Sequence, residues 1–167
     1  MKIVIRQAVA GDCEAMHDLV KELALYERAP HEVSTTPAMF LEDGFGNDPA
    51  FNGLVAEANG EVVGMALFHA AYSTWKGKYI YLDDLIVREA LRGNGIGKML
   101  FDELIKHCSD TNVNQLRWHV LDWNEPAIKF YNQYNASLDP TWITGKLSKQ
   151  QIQSFNQSAG QAVHESI

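Results

Sequence analysis

The sequence is poor in cysteine, in basic residues and in long apolar runs, and each shortage excludes a class of protein. Two cysteines, Cys13 and Cys108, among 167 residues are too few for a disulfide framework. No stretch approaches the roughly 20 consecutive apolar residues of a membrane-spanning helix, and 21% of the chain is charged. Lys and Arg number 14 against 21 Asp and Glu, so the formal net charge is -7, the wrong sign for neutralising the phosphates of a nucleic acid. Met1 to Arg6 alternate in polarity and lack the apolar core of a signal peptide. These absences lead us to expect a protein of the reducing cytoplasm with no nucleic-acid and no membrane partner. An acidic surface mostly serves solubility, and the partner it suits electrostatically is a small cationic molecule.

With 46% hydrophobic residues at this length, one globular domain is expected over residues 1–147. The Gln- and Ser-rich tail, 148–167, is expected to be a short helix or disordered. Ile3 to Ala8 reads as a strand, and Asp12 is placed to cap a helix over Glu14 to Glu27 whose Met16, Leu19, Val20, Leu23 and Ala24 share one face. The Pro- and Gly-rich stretch Arg28 to Asn52 predicts loop around a short helix near Ala38 to Glu42. Gly53 to Ala58 and Glu61 to Tyr72 form a hairpin through Asn59-Gly60, followed by a strand over Lys78 to Arg88. Gly95 to Cys108 is expected as a helix buried on more than one side, Gln115 to Leu121 as a strand, Asn124 to Tyr134 as a helix with Pro126 in its first turn, and Ala136 to Leu147 as one or two last strands. This order, hairpins and then alternating strands and helices, predicts a mixed α/β sheet with a parallel crossover.

The most informative string runs from Val87 to Lys98 and joins a strand to a helix. Gly93, Gly95 and Gly97 remove side chains where the backbone must bend, leaving N–H groups outward at a helix N-terminus, a site for an anion. Arg92 and Lys98 add mobile positive charge beside it. A Walker loop is excluded, since Arg92 stands in place of its first glycine and Met99 in place of Ser or Thr; the dinucleotide fingerprint fails on glycine spacing. A glycine cluster by itself usually marks only a tight turn.

Arg92 to Gly97 resembles the coenzyme A-binding motif of the Gcn5-related N-acetyltransferase (GNAT) superfamily. Within it the chain is most similar to the diamine (spermidine/spermine) acetyltransferases, through Ile5-Arg6-Gln7-Ala8, Lys21 to Glu27, Leu41 to Gly46, Tyr81-Leu82-Asp83-Asp84, and Trp123-Asn124-Glu125-Pro126 through Phe130-Tyr131. The resemblance implies an α/β fold with a mixed, mostly antiparallel sheet of six to seven strands, a central parallel splay and about four flanking helices. It implies an acetyl-CoA-dependent enzyme that acetylates a primary amine, and a homodimer.

Acyl transfer to an amine makes four demands. An alkylammonium, with a pKa of about 10.4, must lose a proton before nitrogen attacks. Asp83 and Asp84 are adjacent on a strand, where pleating would turn only one toward a substrate; the resemblance assigns Asp83 as base and substrate contact, in place of the more usual Glu. Backbone amides must meet the charge growing on the thioester oxygen, a role the resemblance gives to Leu85, Ile86 and Val87. The departing thiolate needs a proton, and Tyr131, one helical turn from Ala127 and Tyr134, carries a phenol of suitable acidity. A cationic substrate needs acids or aromatics, and the resemblance points to Tyr26 and Glu27. By the same resemblance the cofactor lies along Leu85–Val87, Arg92, Gly93, Asn94, Gly95, Ile96, Gly97 and Lys98, and along Asn124, Glu125, Pro126 and Ala127.

The six histidines show no metal-ligand spacing, so no metal is expected. Cys13 and Cys108 have no base at motif spacing, which argues for direct transfer without an acyl-enzyme. Polyamines, lysine-like amines such as thialysine, aminoglycosides and protein N-termini remain open as substrates, as does a non-catalytic acetyl-CoA-binding module.

Overall fold

The computed structural model describes residues 1–155. They form two units, the first Met1–His119 and the second from Val120 onward.

In the first unit, β1 (Ile3–Gln7), β2 (Asn52–Ala58), β3 (Glu61–Ser73), β4 (Gly77–Val87) and β5 (Gln115–Arg117) make one sheet in the order β1-β2-β3-β4-β5. The first four pair antiparallel and β4 pairs parallel with β5. Asn59 and Gly60 turn the β2–β3 hairpin with φ of 52° and 86°, the left-handed pair that matches the twist of the flanking strands. Val62 to Phe68 of β3 are buried without interruption, the pattern of a central strand covered on both faces. On one face lie α1 (Cys13–Tyr26) and α2 (Pro37–Phe45), and Cys13, Met16, Leu19 and Phe40 pack with Val55, Met65, Leu67 and Ile86. The other face meets α3 (Ile96–Asp110), whose Ile96, Leu100, Phe101 and Leu104 are buried and whose His107 lies 5.1 Å, ring to ring, from Phe68.

Among the described residues the sheet has five strands, not six or seven. β5 was expected through Leu121 but ends at Arg117, because pairing stops at Tyr81↔Arg117, just before a bulge bends β4. Residues 136–147 form no strand. Pro140 lacks an N–H for a ladder, and Trp142, Ile143 and Leu147 are exposed.

In the second unit, Asn124 begins α4 (Glu125–Asn132) with its side chain accepting from the Ala127 N–H at 3.3 Å. Asn135, at φ 55°, turns the chain out of the helix in the left-handed conformation that glycine or asparagine adopts. Residues 149–155 are helical; Ser148 accepts from the Gln151 N–H while the Gln151 side chain accepts from the Ser148 N–H, a capping box. The rest of the expected tail, 156–167, lies outside the described residues.

Asp12 does not cap α1 with its side chain. A 3-10 turn over Ala10–Asp12 precedes the helix, and the buried carboxylate instead accepts from the Val9 N–H at 2.8 Å and twice from Arg6, at 2.7 and 2.9 Å. Arg6 also reaches Glu57 at 2.9 Å, so one guanidinium joins β1, the turn and β2. Hydrogen bonding from Arg6 holds the Asp12 carboxyl below its ordinary range. A carboxylate with a lowered pKa stabilises the fold above its unfolded pKa and loses that contribution as pH falls through the folded one. Asp12→Asn is therefore expected to lower stability by about 1–3 kcal/mol near neutral pH and by less at pH 3, read from urea midpoints.

Candidate active site

The strand-to-helix turn is built by backbone conformation. After β4, the Arg88 N–H donates to the Val63 carbonyl at 2.9 Å and a 3-10 turn covers Glu89–Leu91. Gly93 and Gly95 then take φ of 80° and 78°, which only glycine adopts without strain. A Cβ at either would meet nothing within 4 Å, and at Gly97 only Val87 Cγ2 at 3.8 Å, so the ground above the turn is open. Gly95 is the residue before α3, whose first turn contains no acid. The amides opening this helix lack intrahelical acceptors and carry the positive end of its dipole. Asn94 folds back, donating to the carbonyls of Leu91 and Arg92 at 3.0 and 3.3 Å, which stiffens the turn.

Both basic side chains have partners on the neighbouring helices. Arg92 Nε donates to the Val87 carbonyl at 3.0 Å, its guanidinium lies 4.8 Å above the Tyr26 ring, and Nη2 is 3.7 Å from Glu22. Lys98 bridges Asp102 one turn along α3. Glu22 also accepts from the Glu89 N–H at 2.7 Å and lies 3.5 Å from Arg88. Residues 88–92 are thus pinned to α1 near its Tyr26 end, a linkage that helix periodicity alone could not signal.

The acidic pair is set by the bulge. Leu67 and Phe68 are consecutive on β3, yet they oppose Asp84 and Leu82, so Asp83 is the extra residue. Asp83 is exposed and Asp84 half-buried. Asp84 lies opposite Leu67, which belongs to the α1/α2 core. Burial first, then the charges of Asp83 and Glu27, push the Asp84 carboxyl up to about 7. Burial also raises Glu27, the residue that ends α1. None of the three acids pairs with a base among the described residues. Leu85 is half-buried, Ile86 and Val87 are buried, and no described strand pairs with Leu82–Val87 on the β5 side.

Farther along the same face stand Tyr81, Tyr79 and His69. The Tyr81 hydroxyl hydrogen-bonds His119 Nδ1 at 2.5 Å, and the His69 and Tyr81 rings lie 5.2 Å apart. Burial, then Asp83, Tyr79 and Asp84, raise the Tyr81 pKa, which favours the protonated phenol. Arg117 stacks 4.3 Å from the Tyr79 ring centre. Asp84, Glu22, Tyr81, His119 and Arg117 were not assigned roles from the sequence; the alternating polar residues of β4 were its one local sign of a wet face.

In the second unit, Asn124, the cap of α4, is buried, Glu125 bridges Lys129 at 3.4 Å, and Pro126 occupies the first turn. Tyr131 is 7% exposed and lies 5.2 Å from Phe130, ring to ring. Elsewhere, His17 Nε2 is bonded to the Thr35 carbonyl at 2.7 Å, a structural contact. Burial raises both cysteine thiols, the direction that suppresses a nucleophilic thiolate. Among the described residues there is no group of three or more metal-ligating side chains, and no helix is long and apolar enough to cross a membrane.

The model of the acetyltransferase (GNAT) family matches residues 14–135. The chain is 40% identical over 142 residues to the thialysine N-epsilon-acetyltransferase of Bos taurus, a match covering 80% of this chain and 84% of that protein. It is 34% identical over 158 residues to spermidine/spermine N(1)-acetyltransferase-like protein 1 of Homo sapiens, spanning 89% of this chain and 23% of that longer one. Among solved structures, an integron cassette protein from the mobile metagenome of V. cholerae shares the fold, with a TM-score of 0.77 at 22% identity over 94% of this chain and 99% of that one.

If Glu22 holds the glycine turn, Glu22→Ala will speed amide hydrogen exchange at residues 92–97 by about tenfold, the worth of one charge-assisted hydrogen bond. Unchanged exchange there would remove Glu22 from this role.

Proposed function

Because the chain belongs to the GNAT acetyltransferase family, we propose that it transfers the acetyl group of acetyl-CoA directly to a primary amine of a small cationic substrate, a polyamine or a lysine-like amine such as thialysine. The observation that carries this reading is the set of base-free carboxylates, Glu27, Asp83 and Asp84, on the unit that also presents the glycine turn. The open ground above Gly93, Gly95 and Gly97 fits a diphosphate approached by backbone amides. The bound thioester supplies an activated acetyl group.

Asp84 is our choice of base. Its carboxyl sits near neutrality, where it can take a proton directly from a bound ammonium and pass it on. Asp83 and Glu27 hold the cation. The freed nitrogen forms the new C–N bond as the C–S bond breaks, Tyr131 gives its phenolic proton to the sulfur, and the proton that the new amide nitrogen sheds passes through water to restore the phenol. Main-chain amides of Leu85 to Val87 face the carbonyl oxygen, and Asn124 to Ala127 line the cofactor. A homodimer is part of this reading, with Trp142, Ile143 and Leu147, exposed in a stretch with no strand partner, covered by a second copy.

A thiol-release assay with acetyl-CoA and a panel of amines tests the function, and silence across the panel would overturn it. Tyr131→Phe is expected to lower kcat on the order of 100-fold with little change in KM for acetyl-CoA; a fully active variant would end the acid assignment. For wild type, kcat/KM should rise with pH through about 7, since the base works only when unprotonated, and Asp84→Asn should abolish that limb. A carboxyl whose pKa is raised by folding contributes stability below its unfolded value and loses it as pH rises through the folded one. Asp84→Asn should therefore melt at a higher temperature than wild type at pH 8.

A further inference from the structure

The face of the sheet beyond Asp84 carries an arginine that no acid neutralises among the described residues. Arg117 is half-buried, its Nε and Nη2 donate to the Gln115 side chain at 3.0 and 2.6 Å, and its guanidinium lies over Tyr79, 4.3 Å from the ring centre. No carboxylate pairs with it among the described residues, and its Nη1 donates to none of them. Parallel pairing sets Arg117 beside Tyr81, and Tyr81 opposes His69 as Asp84 opposes Leu67. That face of the sheet therefore runs from Asp84, with Asp83 at the bulge and Glu27 at the end of α1, past the Tyr81 and Tyr79 rings to a guanidinium that no carboxylate pairs among the described residues.

An amine with a second cationic end is repelled by the far end of this row, whereas one with an anionic end is attracted at both. From these residues we infer that Arg117 is a specificity-determining residue which binds the α-carboxylate of an amino acid whose side-chain amine is acetylated, so that the preferred substrate is zwitterionic and not a polyamine. The inference rests on the acetyltransferase reading above.

The lengths agree. Asp84 and Tyr79 are separated by four regular strand steps and one bulge, about 13 Å. A fully extended lysine-like chain spans roughly 7 Å from side-chain nitrogen to carboxylate, and a charge-assisted contact of about 3 Å at each end brings the total to about 13 Å. The tyrosine rings between the two ends flank the methylenes, and the planar guanidinium, already oriented by Gln115 and Tyr79, suits a planar carboxylate.

The test compares thialysine, L-lysine, L-lysinamide and cadaverine in the thiol-release assay, since lysinamide differs from lysine only in lacking the carboxylate charge. Wild type should favour lysine over lysinamide by about tenfold or more in kcat/KM. Arg117→Gln should collapse that ratio toward one, and Arg117→Lys should retain part of it. A wild-type ratio near one, or a ratio unchanged in Arg117→Gln, overturns the inference, whereas a fall in both substrates that preserves the ratio marks Arg117 as merely structural. Should no amine be acetylated, the catalytic reading fails separately. Calorimetry with Nε-acetyl-L-lysine and its amide then decides the inference: binding that needs both the carboxylate and Arg117 supports it, and its absence sinks it.

Discussion

The site in the first unit depends on one extra residue in β4. A regular strand would turn Asp83 and Asp84 to opposite faces and keep the parity of every residue between Gly77 and Val87. The bulge at Asp83 breaks that parity, because Leu67 and Phe68 oppose Asp84 and Leu82. As a result Tyr79, Tyr81, Asp84 and Ile86 share the face that meets α1 and α2. The same bulge bends the strand just past its last pair with β5, leaving the main chain of Leu85 to Val87 without a strand partner on that side. Carboxylate placement and the opening between the parallel strands thus have a common origin.

Charge then follows from what these residues lack. Glu22 serves Arg88, Arg92 and the Glu89 amide, so it is already satisfied by the turn it holds. Glu27, five residues on, has no such base, and it adds its charge to the effect of burial on Asp84. Like charges held close in a half-buried place keep one proton near neutrality. A protein that places such acids together without bases holds a site poised for a cation, and Arg92, stacked on Tyr26, ties that same helix end to the glycine turn.

Much of this was legible in the sequence. Strand alternation, the Asn59-Gly60 turn, the helical stripe of α1 and the cap at Asn124 are local signals, and they set the elements to within a few residues. Gly93 and Gly95 were legible because a positive φ constrains residue type at the position itself. One reading failed: Asp12 was drawn away from α1 by Arg6, a partner outside the local motif that decided where the side chain went.

What the sequence determined by itself, then, is the order of the elements through α4, the family of acetyltransferases to which the chain belongs, and the glycine turn at Gly93, Gly95 and Gly97, of which the structure gives a positive φ to the first two. Only the tertiary structure decided that Asp84 would be the carboxyl held near neutrality, that Arg117 would lie over Tyr79 with no acid paired to it among the described residues, and that residues 136–147 would form no strand. The physical reason is that pKa, charge pairing and ladder formation belong to pairs of groups. Those pairs are fixed by register across strands and by the packing of α1 on the sheet, neither of which any short stretch of residues carries.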